Sequence, residues 1–509
     1  MKGSSSGGRA APLEMSGAEF RAAGHRLVDE IGDFLETMPA GPVTGVRTPA
    51  GLQAMLGPGA LPETGEDPGD LVAEATRLLM ANSLFNGHPR FFGFITSSAA
   101  PIGALADMLA SAVNPNLGGW ILSPVASEIE RRTVRWIAEM TGYPSDAGGL
   151  LVSGGNVANF VGFWVGRRVR SPWNLREDGL VEGGIPGRVY ASRETHTWVQ
   201  KAADLSGLGT TAIRWIETDA AGRMDVAALR RRIESDMTAG DLPLIVVGTA
   251  GSVSTGAIDP LGEIADIAAE HGLWFHVDGA YGAPAAVLPE ASPDLRALER
   301  ADSIAIDPHK WLYAPLEAGC TLVRDATALR DTFSYHPPYY PDEVEAADDA
   351  PIYYHEYGPQ NSRGFRALKV WLAMRQVGRQ GYIDMIRDDI AMANAIHEGA
   401  RSHPELEAFT IGLSIATFRY LPSDLDAEAD GAPDYVDGLN RSILERMQNG
   451  GEAFVSNAVI GGRYALRACV VNFRTGPADV DALIELVVRL GRAADAEMRP
   501  AALRGAAVP

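Results

Sequence analysis

The 509-residue chain is 46% apolar and 21% charged, which describes a globular protein able to bury a large core over roughly two to four structural units. Its formal charge of −21 excludes a general basic surface for nucleic acid, because neutralising phosphates needs clustered Lys and Arg. Cys320 and Cys469 show neither disulfide-framework nor metal-type spacing, and no segment approaches the roughly 18 unbroken apolar residues of a membrane span, so a cytoplasmic protein without a metal site is expected.

Residues 1–15, "MKGSSSGGRAAPLEM", are Gly/Ser-rich, lack an apolar h-region and read as a flexible leader. Over 18–37, Phe20, Leu27, Ile31 and Leu35 recur at helical spacing, and Pro and Gly then interrupt the pattern as far as about residue 68. A second helix is expected over 71–84. A third is expected over "SEIERRTVRWIAEMTG", with Ser127 as N-cap, Ile129, Trp136, Ile137 and Met140 turned inward, and Gly142 at its end.

Between 188 and 324 short β-rich runs ("RVYAS", "PLIVVGTAG", "LWFHVDGA", "DSIAID", "CTLVRD") alternate with helical ones ("THTWVQKAADLSG", "DVAALRRRIESDM", "PLGEIADIAAEHG"). Such alternation implies an α/β fold with a mainly parallel sheet and flanking helices, whose ligands gather outside the carboxyl ends of the strands. About thirty Pro-, Tyr- and acid-rich residues follow, near 333–362, and read as a lid. The helix "RGFRALKVWLAMRQVG" comes next, then a helix over 382–402, a strand over 408–420, a helix over 434–448, strands within 452–475 and a last helix opened by Pro477 near N1.

The chemistry is expected at the strand ends. Lys310 in "IDPHKWL" is an amine at a rigid strand end, suited to condensing with an aldehyde, although alone it reads as a surface lysine. Asp278 in "HVDGAYGAP" ends an apolar strand, where a carboxylate is costly to bury without a cationic partner; a protonated pyridine nitrogen would serve, and alone the residue reads as a cap or turn. Pyridoxal phosphate needs such a lysine and such an acid. "VSGGNVANF" sets Ser153, Gly154, Gly155 and Asn156 before a helical pattern over 157–167, where free N–H groups could bind a phosphate. His196 in "ETHTWVQ" could lie on a cofactor ring or serve as a structural histidine.

Taken together, "NGHPRFFGFITSSAAPIGALADML", "WILSPVASEIE", "SGGNVANF", "ETHTWVQKA", "HVDGAYGA", "DPHKWL" and "RGFRALKVW", in this order over about 16–498, resemble the group II pyridoxal-phosphate-dependent decarboxylases, which include aromatic-L-amino-acid, tryptophan and glutamate decarboxylases. The resemblance implies a fold-type-I enzyme (aspartate aminotransferase-like) working as an intertwined homodimer, with a helical arm over 16–100, a large cofactor domain over 101–370, a small C-terminal α+β domain over 371–498 and a tail over 499–509. By position it implies Lys310 as the cofactor-linked lysine, Asp278 as the partner of the ring nitrogen, His196 on the ring, and Gly155, Asn156, Ser252 and His309 as further cofactor contacts. From the lid it implies Tyr339 as the proton donor, with Tyr340 the adjacent alternative; Pro341 stands where relatives often have lysine.

The same segments offer Phe91, Phe92, Phe94, Trp120 and Leu122 for a pocket built partly across the dimer, which suits an aromatic amino acid, and Phe92, Phe94 and Trp120 are the residues chosen. Arg363 and Arg366 are candidates for binding a carboxylate, fixing the lid or pairing between domains. Decarboxylation of tryptophan, tyrosine, phenylalanine or DOPA to the amine and carbon dioxide is therefore expected. The alternatives are a glutamate or diaminobutyrate decarboxylase, an aldehyde-forming oxidative decarboxylase, a transaminase and a cofactor-binding scaffold.

Overall fold

The computed structural model describes residues 11–45, 47–57, 59–180, 184–335 and 350–503; Tyr339, Tyr340 and Pro341 lie outside these. Ser16 starts α1 (Gly17–Thr37) through a capping box in which its hydroxyl accepts the Glu19 N–H and the Glu19 carboxylate accepts the Ser16 N–H. The stretch expected to be an irregular arm contains a further helix, α2 (Pro49–Leu56). Its Thr48 cap and Pro49 at N1 outweigh the surrounding glycines and prolines. Asp67 caps α3 (Pro68–Asn82), which starts before the expected position, and the two-residue strand β1 (Phe91–Phe92) follows.

After α4 (Pro101–Val113), helix α5 (Pro124–Met140) has Ser123 as N-cap and Pro124 at N1, which corrects Ser127: that residue is buried inside the helix. Ile137 and Met140 are buried as expected, whereas Ile129 and Trp136 are only half-buried. The chain then runs through β2 (Gly148–Val152), α6 (Gly155–Arg170), the short α7 (Leu175–Asp178), β3 (Gly187–Ser192), α8 (Trp198–Leu205), β4 (Ile213–Ile216) and α9 (Val226–Thr238). It continues through β5 (Leu242–Thr249), α10 (Leu261–His271), β6 (Trp274–Asp278), the short α11 (Pro293–Arg296), β7 (Ser303–Ile306), β8 (Gly319–Val323) and α12 (Ala326–Phe333).

These strands form one sheet in the order β2-β8-β7-β6-β5-β3-β4, in which β8 runs antiparallel to both neighbours and all other pairs are parallel. Both faces are covered, which is why the strands read as unbroken apolar runs. Alternate residues enter different cores: Val246, Phe275 and Ile304 pack with α10, while Ile245, Val247 and Ala305 pack with α6 and α8.

Helix α13 (Ala367–Ser402) is broken at Gly378, whose φ of +67° is open to glycine at little cost, so the two expected helices are two arms of one bent element. The expected strand over 408–420 is instead a hairpin, β9 (Leu406–Gly412) and β10 (Ile415–Tyr420). Its left-handed turn residue is Leu413, at φ +47°, where turn signals favour Gly or Asn; tertiary contacts hold it, because the Ser414 N–H donates to Tyr281 Oη at 2.8 Å. α14 (Ala432–Gly450), β11 (Phe454–Ile460), β12 (Arg463–Cys469) and α15 (Pro477–Met498) complete the chain, and the second sheet has the order β1-β11-β12-β10-β9.

β1 joins this C-terminal sheet parallel to β11. Phe92 is consequently fully buried in the C-terminal core and Phe91 stacks on Phe454 at 5.5 Å. This corrects the expectation that Phe92 lines a substrate pocket: pairing fixes its direction, and full burial of the ring stabilises by about 2–3 kcal/mol.

Candidate active site

Five segments leave the carboxyl ends of β2, β3, β5, β6 and β7 and meet around a cavity of about 390 Å³. Lys310, Asp278, His196, His309, Gly155 and Asn156, predicted from separate stretches of sequence, all line it. The register explains the convergence: Thr249 of β5 pairs with Asp278 of β6, and Asp278 pairs with Ala305 of β7, so neighbouring strands end at the same level.

Asp278 is buried and its carboxylate is held from two sides. Oδ2 accepts Trp198 Nε1–H at 2.7 Å and Oδ1 accepts the Ala280 N–H at 3.2 Å. Trp198 is itself packed edge-on against His276 at 5.4 Å. His276 sits beneath the site, between Ser303 Oγ and Asn159 Oδ1 at 2.8 Å each, and complete burial pushes its imidazole down to about 4.

Lys310 projects from a tight turn after β7, with its Nζ 3.0 Å from Asp307 Oδ2. Beside it, His309 Nδ1 lies 2.7 Å from the Ala318 carbonyl; burial lowers the His309 imidazole below its usual value, Asp307 opposes this and Lys310 adds to it. His196 stands exposed at the cavity mouth, where its Nδ1 accepts the Trp198 N–H at 3.2 Å. Partial burial lowers its pKa, with Asp278 opposing and Lys310 reinforcing.

Against Asp307 and His309 the chain turns from β2 into α6. Gly154 has φ +108°, and a side chain at Gly319 would come within 2.5 Å of the Gly154 backbone, so only a bare backbone fits. The first N–H groups of α6 open here, as an anion requires.

The cavity fits pyridoxal phosphate by two further observations. Thr249 and Asp307 line it, and the Thr249 hydroxyl and one Asp307 carboxylate oxygen are buried without a hydrogen-bond partner among the described residues. Buried polar groups are normally paired, so the Thr249 hydroxyl is left able to donate to a polar ligand. Thr249, Asp307 and Trp198 are the residues that sequence reasoning missed; each lies within or beside a motif already singled out, but nothing in its spacing marked it.

Several predicted residues are elsewhere. Ser252 is buried inside the turn after β5, its hydroxyl 2.9 Å from Thr255 Oγ1 and accepting the Ala257 N–H at 3.2 Å, while its neighbours Gly251 and Val253 line the cavity. Phe94 is 54% exposed beside Phe454, and Trp120 donates through Nε1 to Glu128 at 3.0 Å; neither lines the cavity of this chain. Leu122 is exposed.

Arg363 is buried against Glu130 at 2.5 Å, donates to the Leu151 carbonyl at 2.6 Å and covers the Tyr354 ring, so it is an anchor within the large sheet's layer and not a free carboxylate receptor. Arg366 pairs with Glu317, at the rim of the cavity, at 2.9 Å.

Comparison with known proteins agrees with this geometry. Residues 49–420 match the pyridoxal-dependent decarboxylase conserved domain. The chain is 34% identical over 464 residues to an aromatic-L-amino-acid decarboxylase of Bacillus atrophaeus, covering 91% of this chain and 93% of that one, and 30% identical to a tryptophan decarboxylase of Camptotheca acuminata, covering 91% and 92%. Among solved structures it is similar to the Oryza sativa TDC with PLP and tryptamine, with a TM-score of 0.87 and 29% identity over 96% of this chain and 100% of that one. With its mostly parallel seven-stranded sheet of fold type I, the chain belongs to the pyridoxal-dependent decarboxylase family and is a pyridoxal-phosphate-dependent carboxy-lyase.

Proposed function

We propose that this enzyme removes the carboxyl group of an aromatic L-amino acid, releasing carbon dioxide and the corresponding amine. One observation carries the residue assignment: the Lys310 and Asp278 side chains line one cavity from neighbouring strands, together with a glycine turn and a helix N-terminus. When bound, pyridoxal phosphate supplies an aldehyde for amines and a protonated ring that accepts the electrons of the breaking bond.

In this reading Lys310 is the residue that would hold the cofactor covalently through its amine. Asp278, oriented by Trp198, keeps a proton on the ring nitrogen. Asn156, Gly155 and His309 would hold the cofactor, Thr249 would offer its hydroxyl, and His196 would face the ring. Ser252 supports this set through its turn. Tyr339, or its neighbour Tyr340, delivers the proton to the substrate's Cα.

An aromatic substrate is supported by the relatives' printed activities and by Phe94 and Leu122, exposed at the surface of one chain, and the half-buried Trp120, where a partner subunit would complete a pocket. A homodimer is supported by α1, none of whose residues is buried, and by Leu105, Leu109 and Val113 of α4 with Ile121 beside them, all more than half exposed. We also propose the division into an arm over 16–100, a cofactor domain over 101–370 and a small domain over 371–498, β1 excepted. A cytoplasmic location is supported by the unpaired, buried Cys320 and Cys469.

Borohydride reduction of the holoenzyme followed by peptide mass mapping should place the pyridoxyl adduct on Lys310, and Lys310→Ala should lose it together with at least a thousandfold of the carbon dioxide release from tryptophan, tyrosine, phenylalanine or DOPA. An adduct on another lysine would refute the assignment. Faster release from glutamate than from any of these would refute the substrate class.

A further inference from the structure

Asp389, on α13, is a buried carboxylate to which the reading above gives no task. It is 3% exposed, and no cationic side chain pairs with it among the described residues. A carboxylate is costly to bury in this way, so the groups it holds are informative. Its Oδ2 accepts both Trp311 Nε1–H, at 2.7 Å, and the Tyr313 hydroxyl, while its Oδ1 accepts the Asn472 N–H at 3.3 Å.

Trp311 and Tyr313 are the first and third residues after Lys310, so a single oxygen grips the lysine's turn at two points. Tyr313 has φ +55°, in the left-handed region, where a residue with a β-carbon stays only if its surroundings enforce it. Its N–H donates to the Lys310 carbonyl at 3.1 Å, and the Lys310 N–H donates to the Asp307 carbonyl at 2.8 Å. A change of conformation at Tyr313 therefore passes directly to the lysine. On the other side, Trp311 stacks at 4.8 Å on Tyr281, which lines the cavity.

The remaining braces of this turn reach backbone atoms. Ser97 Oγ–H donates to the His309 carbonyl at 2.8 Å, the Tyr382 hydroxyl to the Leu312 carbonyl at 3.1 Å, and the Ala100 N–H to the Tyr313 carbonyl at 2.8 Å. These fix the path of the chain, whereas Asp389 fixes the two side chains beyond the lysine and, through Tyr313, the left-handed step of the turn.

We propose that Asp389 is a positioning residue for Lys310: its paired hydrogen bonds to Trp311 and Tyr313 hold the turn in the conformation that presents the lysine amine to the cofactor's aldehyde. The inference rests on the reading of Lys310 as the cofactor lysine. In the step it serves, Lys310 Nζ adds to the aldehyde carbon, a C=N bond replaces the C=O bond, and water carries off the oxygen. A misaimed amine slows this step even where the fold is intact.

Full-length enzyme stripped of cofactor, mixed with pyridoxal phosphate and quenched with borohydride at timed intervals, reports the step as the rate at which the pyridoxyl adduct appears on Lys310. Asp389→Asn should slow it on the order of tenfold or more, and Tyr313→Phe, which removes only a hydroxyl, by at least about threefold. Tyr435→Phe breaks a comparable bond, from the Tyr435 hydroxyl on α14 to Asp495 Oδ1 on α15 at 2.5 Å, and should keep the wild-type rate. A wild-type rate in Tyr313→Phe overturns the proposal whether or not Asp389→Asn folds. Equal slowing in Tyr435→Phe also overturns it, since lost stability would then account for the effect. If the adduct forms on Lys310 at unchanged rates, this inference alone fails; if it forms on another lysine, the site reading fails first.

Discussion

His276 shows how one residue beneath the cavity couples the site to pH. Its imidazole titrates at about 4 in the folded protein against 6.5 in an open chain, so folding excludes a proton between those values. The stability it contributes is complete above about 6.5 and is lost as pH falls toward 4, a span worth about 3 kcal/mol. Asp259 and Asp389, raised by burial to about 6 and about 7, act in the opposite sense, since folding takes up protons at both as pH falls. The clean measurement is therefore a difference. Wild type and His276→Gln, compared by urea unfolding at pH 7 and at pH 4.5, should diverge by about 2–3 kcal/mol in the direction of a relatively weaker wild type at the lower pH; a constant gap would contradict the assignment. None of this is legible in "WFHVDGA", because a histidine on an apolar strand declares neither its partners nor its degree of burial.

Among elements, the clearest lesson concerns the segment that follows the expected lid. Arg363 and Glu130 form a pair with side chains 1% and 0% exposed, joined by the Leu151 N–H, which donates to Glu130 at 2.9 Å. Removing one partner from such a pair leaves a buried charge, so Arg363→Gln should lower unfolding stability by about 3–5 kcal/mol. Arg366→Gln should cost less than about 1 kcal/mol, because its partner Glu317 is 48% exposed. Equal losses in thermal or urea unfolding would show that the two arginines are not distinguished by burial. Both open "RGFRALKVW", and their sequence positions do not distinguish them; only the layer of α5 and β2 above Arg363 does so. The misplaced start of α5 has a local cause: Pro124 is suited to the first helical position, so the helix begins there and Ser127 lies inside it.

At the scale of the whole molecule, the uncovered apolar residues of α1, α4 and the turn at Trp120 predict association. Wild type should sediment at twice the chain mass, and Leu109→Asp, which places a charge on that face, should weaken the dimer at least tenfold. Unchanged sedimentation of the variant would move the interface elsewhere. The C-terminal sheet reaches the site without lining it: the β9–β10 turn holds Tyr281 Oη against Ser414 Oγ at 2.5 Å, and Tyr281 stacks on Trp311, the neighbour of Lys310, at 4.8 Å. Asp389 of α13 accepts Trp311 Nε1–H at 2.7 Å and the Tyr313 hydroxyl, bracing the same turn from another side.

Sequence alone determined the alternation of strands and helices, the strand-end position of Lys310 and Asp278, and the family, because these depend on periodicities and residue types confined to short windows. Only the tertiary structure decided that Phe92 is core, that Arg363 is an anchor, and that Asp307 lies against the start of α6. Burial and long-range partners are set where distant segments meet, and no local spacing encodes them.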